Sequence, residues 1–112
     1  MSKASSSEFV GKWRITGMET WDAEYFDMEV SAFITIRKDL TGEFQFGLVR
    51  AELDGRIESA GTTSRLSFSW AGFEELDPSS GRGWMEVTGA QAEGRIFIHL
   101  ADESGFTAKR MR

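Results

Sequence analysis

Apolar and polar positions alternate with a period of two along most of this chain, and turn residues interrupt the alternation at short intervals. That is the pattern of half-buried strands rather than helices. Residues 11–18 read as the first strand, with Trp13 and Ile15 alternating against Arg14 and Thr16. Residues 19–28 break the pattern, and a short helical segment is expected near 20–27. Thr20 is placed to cap it, with Asp22 and Glu24 near its positive end. A second strand is expected over 29–37, with Val30, Ala32, Ile34 and Ile36 on one face, and a third over 43–51 around Phe44, Phe46 and Leu48. Asp54-Gly55 carries a hairpin signal before a weak strand at 56–60. Residues 62–71 put Leu66, Phe68 and Trp70 on one face. Residues 72–81, with Glu74, Glu75, Asp77 and Pro78, read as the longest loop. Strands at 82–89, 94–100 and 105–111 complete the chain, the second carrying Ile96, Ile98 and Leu100.

Eight strands with short connections leave no room for a crossover, so sequence neighbours should pair antiparallel. A flat meander would expose two long edges, and closure into a barrel removes them. The expected fold is therefore all-β: one eight-stranded antiparallel up-and-down barrel over residues 8–112, preceded by a disordered polar tail, 1–7.

Composition fits this and narrows the function. The chain has 112 residues, room for one domain, and twelve Gly against one Pro suit many tight turns. A net charge of −5 argues against nucleic acid and against anionic membrane surfaces as partners. There is no cysteine, hence no disulfide and no thiolate chemistry. No stretch approaches a membrane span or an apolar leader, and a cytoplasmic location is expected.

Residues 9–15 read Phe-Val-Gly-Lys-Trp-Arg-Ile, followed by Glu19-Thr20-Trp21-Asp22 and Tyr25. This opening resembles that of the intracellular fatty-acid-binding proteins, Phe-x-Gly-x-Trp-Lys-Leu followed by Glu-x-Phe-Asp and a Tyr. Gly-x-Trp alone also resembles lipocalins and avidins. The resemblance implies a calycin-like barrel in which Trp13 plugs one end and meets an Arg from the last strand, Arg110 or Arg112. The Thr-Asp-Tyr of lipocalins and the C-terminal Arg-x-Tyr of fatty-acid-binding proteins are absent.

The apolar faces should point inward. A barrel of eight strands is just wide enough to be filled by side chains or to hold one small ligand. With so many Phe, Trp and Ile, a filled core is the plainer expectation. The functional reading is a pocket for a small apolar molecule, lipid-like or aromatic, bordered by Trp13, Phe44, Phe46, Phe68 and Trp70. The other face of the C-terminal strands mixes Arg65, Trp84, Glu86, Arg95, Phe97, His99 and Arg110, together with Phe106 and Ala108. Arg and aromatic residues are what interface anchors favour, so a protein-interaction or self-association surface is the alternative to a solvated face. Were the barrel inverted, this mixed face would line the cavity and the apolar faces would be exposed.

His99 is the single histidine, and Glu86 is the one candidate to orient it as a general base. No Ser or Cys motif accompanies the pair, and no enzyme is expected. The acidic residues Glu74, Glu75, Asp77, Asp102 and Glu103 lack calcium-loop spacing, and Gly81-Arg82-Gly83 lacks the strand–loop–helix setting of a phosphate cradle. Neither a metal nor a cofactor is expected.

Overall fold

The computed structural model describes residues 6–111. Eight antiparallel strands form a closed barrel in sequence order: β1 (Gly11–Met18), β2 (Phe33–Ile36), β3 (Thr41–Phe46), β4 (Val49–Ala60), β5 (Thr63–Glu74), β6 (Asp77–Thr88), β7 (Gln91–Ile98) and β8 (Glu103–Arg110). β8 returns to pair with β1, so neither end strand keeps an open ladder. One short helix, α1 (Ala23–Phe26), follows β1, and a 3-10 turn spans Ser6–Glu8. Of the tail expected over 1–7, residues 1–5 lie outside the described residues, as does Arg112.

Alternation decides the core. Trp13, Ile15, Ile34, Ile36, Phe44, Phe46, Leu66, Phe68, Trp70 and Ile96 are buried as their period-two positions require. Leu48 and Ile98 are only partly buried, because each sits where a strand ends. Phe9, Val49, Leu53 and Met85 join the core.

Several boundaries differ from those the pattern suggested. The second strand starts at Phe33, not 29, and Val30 is exposed. Asp27 accounts for this: its carboxylate accepts the Ala32 N–H at 2.8 Å and takes both Arg14 nitrogens at 2.9 and 3.0 Å. The chain is thereby held in a bend until β2 begins. Asp22, not Thr20, caps α1, accepting the Tyr25 N–H at 3.3 Å. Thr20 is committed to the end of β8, where its hydroxyl donates to the Glu103 carbonyl at 2.7 Å.

Asp54-Gly55 is not a hairpin. β4 runs straight through it, and Gly55 leaves room there for Leu66 Cδ1 and the Leu40 carbonyl, which a Cβ would meet at 2.9 and 3.1 Å. The turn falls instead at Gly47-Leu48, where Gly47 has φ +56. Nor is 72–81 a loop. β5 and β6 continue to a two-residue turn at Glu75-Leu76, with Glu75 at φ 56. Pro78 is accommodated one residue into β6, near the strand start where a missing N–H matters least.

The largest correction concerns β8. The turn after β7 takes four residues, His99 to Asp102, with Leu100 at φ 60. Phe97 consequently pairs with Glu103, and Gly94 with Phe106. Parity puts Ser104, Phe106 and Ala108 inside, where all three are buried, rather than on the outer face with Phe97.

Candidate functional site

Four of the five residues expected to border a pocket, Phe44, Phe46, Phe68 and Trp70, meet in the barrel interior, where they pack against one another. The Phe44 ring stacks on Phe46 at 5.9 Å, meets Trp70 edge-on at 5.3 Å and lies 6.3 Å from Phe68. All four side chains are at most 4% exposed. One polar atom inside this cluster is unsatisfied: among the described residues, Trp70 Nε1 is the buried side-chain donor with no hydrogen-bond partner.

Trp13 works elsewhere. Its Nε1–H donates to the Phe9 carbonyl at 3.0 Å, and the Arg110 guanidinium lies 4.3 Å from its ring centroid. Arg110 also donates to the Val10 and Glu8 carbonyls at 2.8 and 2.7 Å. One cation thus sutures the last strand to the segment before β1 and closes that end of the barrel. Arg110 has left the outer face that the alternation assigned to it, because it shares the parity of Phe106 and Ala108.

The opposite end carries α1. Trp21 lies 5.3 Å from Phe46 and 5.8 Å from Tyr25, extending the interior aromatic stack outward. The Tyr25 hydroxyl accepts the Leu48 N–H at 3.3 Å, and the Gly47 N–H donates to the Phe26 carbonyl at 2.9 Å. A Cβ at Gly47 would lie 2.2 Å from the Tyr25 ring, so that glycine both makes the turn and admits the helix. Above this contact is a recess of about 410 Å³, whose walls include Trp21, Tyr25, Val49, Ile98, Glu74 and Asp102. Trp21 and Tyr25 were absent from the pocket expected from sequence. Their spacing of four, which places two aromatics on one side of a helical turn, was the available signal. The two acidic loops do meet here through Glu74 and Asp102, but no group of three or more acidic or histidine side chains among the described residues is disposed to hold a metal.

Anchoring of α1 depends on Asp27. Hydrogen bonding to Arg14 holds its carboxyl below the ordinary aspartate range, against the opposing effect of burial, and the Ala32 N–H adds to the shift. Arg14 is raised in return, chiefly by the same hydrogen bond.

On the outer face, Arg65 donates to Glu86 through Nε and Nη2 at 3.0 and 2.7 Å, and its guanidinium lies 3.9 Å from the Trp84 ring centroid. Arg82 lies 4.8 Å from the Phe97 centroid, and Arg95 bonds to Glu19 and Glu103. These residues form the cross-strand ladder that the alternation suggested, with Glu19 an unforeseen member. His99 does not join it. It occupies the turn after β7, its N–H donating to the Ser80 carbonyl, whereas Glu86 pairs with Glu93 near the other end of β6. The six residue steps from Ser80 to Glu86 span roughly 20 Å of strand, so Glu86 does not orient the imidazole. No helix among the described residues is long and apolar enough to cross a membrane. No protein-family model, curated protein or solved structure matches the chain.

Proposed function

We propose that this is a non-enzymatic, calycin-like binding barrel that takes one small apolar or aromatic molecule at its α1 end. The observation that carries this reading is Trp70 Nε1. An unsatisfied buried donor costs on the order of 1–3 kcal/mol, and among the described residues Trp70 Nε1 is the buried side-chain polar atom left without a partner. A ligand with one acceptor atom would answer it. The register points toward the α1 end: Trp70 pairs with Gly81, and Gly81 with Ile98, which borders the recess. The interior is packed as it stands, so binding requires Trp21 and Tyr25 to yield. α1 is only four residues long, so that movement has to break just the Tyr25–Leu48 and Gly47–Phe26 bonds at its C-terminal side while Asp27 stays anchored to Arg14. The meeting of Arg110 with Trp13 supports the calycin-like part of the proposal.

Native mass spectrometry of freshly purified protein is the test. A small added mass lost on denaturation, and absent from Trp70→Phe, is expected. A bare chain that also fails to take up any aromatic probe would overturn the proposal. The second reading, a self-association surface, is favoured by the Arg65–Trp84–Glu86 and Arg82–Phe97 contacts on the outer face. It predicts a defined oligomer without added mass, returned to monomer by Arg95→Glu.

A further inference from the structure

A different part of the wall carries a built concavity. β1 has a bulge between Ile15 and Gly17, so that Thr16 stands off the ladder to β8. Gly17 of β1 and Gly105 of β8 present no side chain to the outside, and Gly94 of β7 none to the inside. The result is a trough of about 540 Å³ across β1, β8, β7 and β6, in which Arg95 stands between its cross-strand partners Trp84 and Gly105, with Glu19 beyond Gly105. Its lining is more apolar than polar, and Met18 and Phe106 contribute to it.

Two features suit this trough to a ligand. The first is a fixed, half-used donor. Arg95 is held by Glu103 through Nε and by Glu19 through Nη2, while Nη1 donates to nothing among the described residues. Nη1 is also the atom nearest the place where a Gly105 Cβ would stand, 3.5 Å away, so its N–H groups overhang the trough floor. The second is a rigid aromatic wall, since Trp84 is steadied by Arg65 at 3.9 Å. The charge balance then selects the ligand. Glu19 and Glu103 pair with Arg95, and Glu93 also lines the trough, so a full anion is repelled although Nη1 can still donate to an acceptor. A cation is attracted by the same carboxylates but leaves Nη1 unanswered, which makes a cationic analogue the decisive competitor.

We propose that this trough binds an uncharged, planar aromatic molecule bearing a carbonyl, the ring lying along Trp84 over the glycine floor and the carbonyl oxygen accepting from Arg95 Nη1. The site is separate from the α1-end recess and does not depend on it. Neutral aromatic amides are the chemical class, because a carboxamide lies close to the plane of its ring, is uncharged, and offers a carbonyl oxygen to the guanidinium.

The experiment titrates the full-length protein with benzamide, benzoate and benzylamine in parallel, following the Gly17, Gly105 and Trp84 indole N–H signals by NMR. Benzamide is expected to shift these signals saturably and to bind at least fivefold more tightly than either charged analogue. Gly105→Val should abolish the shifts. A Cβ there meets only ordinary contacts of 3.5–3.7 Å, so the variant should fold, as its melting curve will verify. Arg95→Met is a second variant, expected to erase the preference for benzamide while leaving ring binding in place. Saturation by benzylamine or benzoate as tight as by benzamide would overturn the proposal. So would the absence of saturable shifts at these signals, or unchanged benzamide binding in folded Gly105→Val.

Discussion

Arg110 shows how much one side chain can do in a small barrel. It stacks on Trp13 and donates to two carbonyls of the preceding segment, so its loss removes a cation–π contact and two charged hydrogen bonds together. Arg110→Met should lower unfolding free energy by about 2–4 kcal/mol, measured by urea denaturation. Trp70 gives the opposite expectation. Because its N–H is unanswered, Trp70→Phe removes a liability along with some ring volume, and in unliganded protein the loss should be below about 1.5 kcal/mol. A buried Trp whose N–H was satisfied would lose more. The alternation set Arg110 on the outer face, and only the resemblance of the opening to calycins offered it, or Arg112, as a partner for Trp13; Trp70 was legible in sequence as inward-facing. The missing acceptor for Trp70 was not, because hydrogen-bond partners come from three-dimensional packing that alternation does not encode.

At the scale of single elements, the turns were the hardest part to read. Asp54-Gly55 has hairpin chemistry, yet the glycine serves the approach of Leu66 within a twelve-residue strand. The true turn at Gly47-Leu48 lies inside a continuous apolar run and carries no polar signal. Gly47→Ala combines a strained φ of +56 with a clash against the Tyr25 ring, and should cost about 2 kcal/mol or more and detach α1. Loss of the Tyr25–Leu48 hydrogen bond would show as faster amide exchange at Leu48.

The bend before β2 is sensitive to acid. The Asp27 carboxyl is held low in the folded chain, so its contribution is complete above the ordinary aspartate range and is lost as pH falls through the folded value. Arg14 is raised and stays charged throughout that window. Stability should therefore fall below about pH 4, and Asp27→Asn should flatten that part of the profile at a cost near 1 kcal/mol at neutral pH. If Asp27→Asn loses stability with acid as steeply as the parent chain, other carboxylates govern the fall.

For the whole molecule, strand number, order and antiparallel sense followed from the alternation and from the absence of any crossover-length connection. The inward set of β8 did not, because parity after a turn depends on how many residues the turn takes. One residue of uncertainty exchanges the two faces. The outer-face grouping of Arg65, Trp84 and Glu86 was legible because all three keep their strand parity, although the Glu75-Leu76 turn between their strands was read as part of a ten-residue loop. Since β8 closes against both β1 and β7, the barrel should unfold in one cooperative transition, with near- and far-ultraviolet circular dichroism coincident. A chain ending at Ile98 should lack that transition altogether.

Closure has a practical corollary. The backbone at Met111 bonds to the Lys12 carbonyl, and Arg110 grips the carbonyls of Glu8 and Val10. The two ends of the described chain therefore emerge side by side, at the Trp13 end and away from α1. A short Gly-Ser linker could join them and new termini be opened at Gly89-Ala90, yielding a circular permutant whose barrel wall is uninterrupted. The new termini, like the original ones, leave from the Trp13 end, so a label fused to either form would sit at the end of the barrel farthest from the α1 recess.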